Sequence, residues 1–156
     1  MTQTKAAQYA AKTRTSVADS KAEIERVLSR FDCINALFSN VESENAVAVG
    51  FRRLGQPYMF VLKLPERGEK SDRAFEQECR IKWRELVLLI KAKLVAAIGN
   101  ITTFEREFLP YAMLPSRQSV GEWAEVQLAE MIQAGEMPEL LPRPQAALPE
   151  RSNDDG

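Results

Sequence analysis

"AVAVGFRRLGQPYMFVLKL", residues 46–64, reads as two strands folded on one turn. Apolar and β-branched residues alternate on both sides of Gly55, which is the period of a half-buried strand. A two-residue turn at Gly55-Gln56 fits a Gly-first, type II′ hairpin. That turn pairs Val47 with Leu64, Val49 with Leu62, Phe51 with Phe60 and Arg53 with Tyr58. One face is then Val47, Val49, Phe51, Phe60, Leu62 and Leu64, a core face. The other carries Ala48, Gly50, Arg52, Met59, Val61 and Lys63. A one-residue slip would scramble this partition, which argues for the register.

Upstream of the hairpin, "CINALFSNV" (33–41) has Ile34, Ala36 and Phe38 on one side and reads as a strand that "ESEN" turns into residue 46. "DSKAEIERVLSRF" (19–31) is a helix: Ile24, Val27, Leu28 and Phe31 recur at helical spacing, with Ser20 and Glu23 as a capping box. "TRTSVA" (13–18) alternates and is expected as a short edge strand. Downstream, "PERGEKSDR" is a solvated loop. A long helix is expected over about 72–98, with Gly99 as its C′ residue. Thr102 and Glu105 form a second capping box and open a short helix. Ser119 and Glu122 form a third and open a helix with Trp123, Val126, Met131 and Ile132 inward, ended by Gly135.

The expected architecture is therefore α+β: a small antiparallel sheet, the 46–64 hairpin plus one or two further strands, covered by the long helix and followed by two C-terminal helices. Residues 1–12 are expected as a flexible arm, 13–142 as a single domain and 143–156 as a disordered tail, with Met137 to Leu141 docking on the body. The helix-strand-strand-strand-helix order also matches double-stranded-RNA-binding domains, at the level of order alone. The basic cluster those domains carry at the start of the second helix is missing.

Composition narrows the chemistry. Of 156 residues, 45% are hydrophobic and 28% charged, as in folded soluble domains. The longest apolar runs, "LVLLI" and "LVAAI", fall far short of the roughly 20 residues that span a bilayer. No apolar signal-peptide core opens the sequence, so a cytoplasmic location without membrane contact is expected. There is no histidine. His-based triads, His general bases and most zinc sites are thereby excluded. Cys33 and Cys79 lack metal spacing and read as reduced thiols. Glu105 and Glu122 are taken up by caps. No phosphate-binding glycine loop or nucleophile elbow occurs. A non-enzymatic role, without metal or cofactor, is the expectation.

Charge is divided unevenly. Residues 1–98 hold 17 Lys and Arg against 12 Asp and Glu; residues 99–156 hold 4 against 10. A basic front can meet nucleic acid; equally, the two halves can pair with each other or with a second subunit. On the long helix, Trp83, Ile90, Leu94 and Ala97 form one apolar stripe and Ile81, Leu88 and Val95 another. Arg80, Arg84 and Lys91 lie in a row between them. Lys82 and Lys93 stand on the far side with Leu86 and Leu89. The basic row reads as a phosphate track or as snorkelling side chains at a packed rim. The hairpin's outer face offers Arg52 and Lys63, with Arg53 and Tyr58 near the turn, as a surface for a nucleic-acid backbone and a stacked base.

Several strings together resemble a group of small phage and prophage proteins. They are "T-x-T-x-V" before "K-x-E-I" with "L-x-R-F", then "F-V-L-x-L-P", "W-R-x-L-x-L-x-I-K-A-K-L", "I-T-T-F-E-x-E-F-L", "L-P-x-x-x-x-V-G-E-W" and "G-x-M-P-x-L-L-P", spanning Thr13 to Pro142. The resemblance implies a phage or prophage origin and assigns no activity and no site residue. Two functions are expected from it and from the charge pattern. One is an accessory protein of phage DNA replication or recombination that binds single-stranded or duplex DNA through Arg52, Arg53, Tyr58, Lys63, Arg80, Arg84 and Lys91. The other is a protein-binding inhibitor or modulator of a host enzyme. A homo-oligomer with Ile81, Leu88 and Val95 as its seam is expected with either.

Overall fold

The computed structural model describes residues 10–136. The proposed tail, the docking of Met137 to Leu141 and most of the proposed arm lie outside the described residues. Ala10 is buried and a turn joins its carbonyl to the Thr13 N–H, so the folded part already includes it.

Helix α1 spans Val17–Ser29, strand β1 Cys33–Val41, β2 Ala46–Arg53 and β3 Gln56–Lys63; α2 spans Asp72–Ile98, α3 Phe104–Phe108 and α4 Val120–Ala134. The sheet is antiparallel in the order β1-β2-β3. The α+β architecture expected from the hairpin and the long helix is the one found.

The hairpin register differs from the expectation by two residues. Arg53 pairs with Gln56, Phe51 with Tyr58, Val49 with Phe60 and Val47 with Leu62. The turn is Leu54-Gly55, with φ of 49° and 83°, the positive pair of a type I′ turn. Pro57 explains the shift. A Gly55-Gln56 turn makes Pro57 part of the closing hydrogen-bonded pair, where an N–H is required and proline has none. The observed turn moves Pro57 one pair along, opposite Arg52, where its nitrogen faces away from β2. A shift of two keeps each side chain on its own face, so the partition into core and outer faces survives. Leu54 is 82% exposed and strained by its left-handed backbone. Leu54→Asn creates an Asn-Gly turn and is expected to raise the unfolding free energy by about 0.5–1 kcal/mol in urea titration. An unchanged midpoint contradicts the strain.

Residues 13–16 form no strand. They lead into α1, which starts one turn earlier than expected because Ser16, not Ser20, is its N-cap: the Asp19 N–H donates to Ser16 Oγ at 3.0 Å. Ser20 is instead fully buried inside the helix, and Glu23 is released for another role. In β1 a bulge between Ile34 and Leu37, with Asn35 at φ 56°, separates Ile34 from Phe38. Phe38 points inward beside Trp83, while Ile34 and Leu37 are exposed on the outer face. The bulge also blunts β1 as an edge strand.

α2 is capped by Ser71 and ends at Gly99; Asn100, at φ 54°, takes the left-handed position expected of the glycine. α3 is capped by Thr103 rather than Thr102, which frees Glu105 from the proposed capping box. The Ser119–Glu122 box and the left-handed Gly135 of α4 are found as expected.

Trp83, Leu86, Val87, Ile90 and Leu94 of α2 are buried on the inner sheet face, with α1 beside them. Toward the turn end, Phe104 and Phe108 of α3 close the core against Phe51, Tyr58 and Phe60. That closure leaves α4 outside. Trp123, Val126, Met131 and Ile132, expected inward, are 44–61% exposed, and no α4 residue is buried. α4 packs on the Leu109–Tyr111 turn rather than on the inner face of the sheet. α4 is pinned at its first turn: Met113 bridges Ser119, and Gly121 lies so near Pro110 that a Cβ would stand 3.0 Å from the proline carbonyl oxygen.

Candidate functional site

Arg84 and Lys91 of the basic row of α2 are neutralised from α1. Arg84 donates to Glu23 Oε2 at 2.6 Å and Lys91 pairs with Glu23 Oε1, while Arg80 lies 3.9 Å from Glu76. Glu23 is held below the ordinary carboxylate value by the hydrogen bond from Lys91 and by Arg84, against the opposing effect of burial. The row is therefore the polar rim of the α1–α2 contact rather than an open phosphate track.

Arg53 is likewise engaged. Its Nε donates to the Phe31 carbonyl at 2.9 Å, its Nη1 pairs with Glu105, and its guanidinium lies 4.4 Å from the Phe104 ring centre. Tyr58 is 5% exposed and stacks in the core 5.3 Å from Phe51, so it presents no ring on the surface for a base. Parity is the reason: Tyr58 shares the core face with Phe60 and Leu62, and it stands opposite Phe51. Arg52 and Lys63 remain exposed on the outer sheet face, and neither has an acidic partner among the described residues. Arg52 helps line a hollow of about 610 Å³ with Leu37, Gly50, Pro57 and Met59, which has no exposed aromatic ring, while Lys63 stands at the far end of β3 opposite Ala46. The seven proposed contact residues thus do not come together as one surface.

The thiols are not activated. Burial pushes Cys33 up to about 11, and burial with Glu78 raises Cys79. A protonated thiol is a poor nucleophile.

Apolar surface is more prominent. Of the proposed seam, Leu88 is 37% and Val95 64% exposed, with Ile81 half-buried; neither α3 nor α4 covers them. Leu88 itself helps line an open, mostly apolar groove of about 660 Å³ between β3 and α2, with Phe60, Val61, Leu62, Glu85, Leu86, Leu89 and Tyr111. Its α2 wall is the Leu86–Leu89 row, whose ends carry Lys82 and Lys93. The sequence displayed that row, but nothing in it indicated that β3 would leave the row open. The exposed face of α4 completes the inventory: Trp123, Val126, Leu128, Met131 and Ile132. No helix among the described residues is long and apolar enough to cross a membrane. No protein-family model, curated protein or solved structure matches this chain.

Proposed function

We propose that this protein acts by docking on another protein, as a binding module that modulates its partner without chemistry of its own. The observation that carries this reading is α4. It is a 15-residue helix with five large apolar side chains exposed and no residue buried. A helix of that length is marginal alone, and helices gain most of their stability from packing an apolar face. Apolar patches beyond roughly 300–600 Å² are rare on soluble monomers and mark interaction surfaces. In the phage setting that the sequence resemblance implies, the partner is a host enzyme whose activity the docked module alters.

Comparison of wild-type bait with the double variant Trp123→Glu, Ile132→Glu in host extract tests the reading. A partner retained by the wild type and lost by the variant is the expected result. Identical retention by both baits contradicts it. Binding to DNA is a second reading, favoured by Arg52 and Lys63, which are exposed and have no acidic partner among the described residues. Two phosphate contacts of this kind give a shallow salt dependence, a log-log slope of about −2 on duplex DNA. A flat titration with oligonucleotides at low salt removes that reading.

A further inference from the structure

We infer that α4 of a second copy of this chain packs across the outer face of the sheet, and that the exchange is reciprocal. The inference rests on the docking reading of α4 and adds the surface that receives it. An antiparallel sheet with one face in water alternates apolar-in and polar-out. This sheet does not. Its outer face carries Ile34 and Leu37 of β1, Ala48 and Gly50 of β2, and Pro57, Met59 and Val61 of β3. Ile34 is 60%, Leu37 68% and Val61 48% exposed. The inner face takes α1, α2 and α3, and α4 packs on the Leu109–Tyr111 turn of its own chain, so no helix among the described residues covers the outer face.

The middle of that face is hollow. Gly50 stands between Leu37 on one side and Met59 on the other, and these residues line the space of about 610 Å³. A Cβ at Gly50 would meet, within 4 Å, only the Tyr58 carbonyl oxygen, at 3.7 Å. A ridge of helix side chains fits such a trough.

Charge matches the two surfaces. The three strands contain no Asp or Glu, and their outer face carries Arg52 at the turn end and Lys63 at the other end. Neither has an acidic partner among the described residues. α4 carries Glu122, Glu125 and Glu130 and no cation. Glu122 is held by the Ser119 cap. On a helical projection, Glu125 and Glu130 border the two sides of the strip made by Trp123, Leu128, Met131 and Ile132. An apolar strip edged by anions therefore meets an apolar face flanked by cations.

Area agrees. The exposed parts of Ile34, Leu37 and Val61, with Pro57, Met59 and the Arg52 stem, offer roughly 400 Å² of apolar surface, and the α4 strip offers about as much, each the size of a functional patch. Two such contacts related by a two-fold axis, both partners counted, bury about 1,600 Å², the size of a standard specific interface.

Light scattering over a dilution series tests the arrangement by charge exchange. The wild type is expected at twice the chain mass. A face variant, Arg52→Glu with Lys63→Glu, and a helix variant, Glu125→Lys with Glu130→Lys, each bring like charges together and should dimerise about tenfold more weakly or worse. These positions are all exposed, so both variants should fold, which far-UV circular dichroism checks. An equimolar mixture should regain the wild-type affinity. The acidic face of one chain then meets the basic helix of the other, and the basic face meets the acidic helix. Gly50→Gln fills the hollow without adding charge and should also weaken the dimer. A wild-type monomer at high concentration overturns the inference; own-chain covering of the face by residues 137–156 would give that result. A dimer that survives the face, helix and Gly50 variants also overturns it and moves the contact to Ile81, Leu88 and Val95. Weakened variants that do not recover on mixing overturn the reciprocal helix-on-sheet contact. A monomeric wild type whose heterologous partner is still lost with Trp123→Glu, Ile132→Glu defeats only the second-copy arrangement. A dimer of this arrangement that binds no other protein defeats only the modulator reading.

Discussion

Phe108→Ala is expected to lower the unfolding free energy by about 3–5 kcal/mol. Phe108 has no exposed surface and sits where α3 closes the core. Its ring centre lies 4.2 Å from Phe104 and 6.0–6.3 Å from Phe51, Tyr58 and Phe60. Truncation removes the burial of a whole aromatic side chain and leaves a cavity among rigid rings that have little freedom to close it. Domains of this size have roughly 5–15 kcal/mol of stability in total, so the variant should be near its unfolding limit. Urea titration by fluorescence checks this. A loss below about 1 kcal/mol would mean that α3 does not close the core.

The second large effect belongs to Glu23. One carboxylate accepts from Arg84 and Lys91 across the α1–α2 contact, with its side chain 14% exposed. Glu23→Gln removes the charge and leaves two half-covered cations facing an amide. A loss of about 1–3 kcal/mol is expected at neutral pH. The sign of the pH dependence follows from the lowered folded-state pKa. The contribution is complete above the unfolded value, ordinarily 4.5, and is lost as pH falls through the lower folded value. The gap between wild type and variant should therefore be widest at neutral pH and narrow progressively below about pH 4.5. A gap that stays constant down to acid pH would show that the loss comes from packing rather than from the ionised carboxylate.

Local signals were legible where one residue type settles the matter. The Ser119–Glu122 box and Gly135 bound α4 because cap and stop chemistry act within one turn. Signals that compete within a turn were not. Ser16 and Ser20 both precede the first helix, and only packing decides which becomes the cap and which is buried. Thr102 and Thr103 pose the same choice for α3. The hairpin's faces were readable from alternation, yet its turn depended on the missing N–H of Pro57, which the glycine at 55 masked.

The candidate site was the least legible part. Arg53, Arg84 and Lys91 are basic in the sequence and neutralised in the fold, because Glu23 and Glu105 lie far from them along the chain and beside them in space. Tyr58 belonged to the core by parity and lay near the turn by position; parity won. Alternation, helical period and caps by themselves determined the order of elements from the first helix onward, the α+β class and the two faces of the hairpin, because each is a property of neighbours in sequence. Which apolar faces would be covered was decided only by the tertiary structure. Coverage depends on where distant segments are anchored: α4 is tied at Ser119 and Gly121 to the Leu109–Met113 segment rather than to the sheet, so an apolar helix that reads as core stands on the surface while the β3–α2 groove stays open.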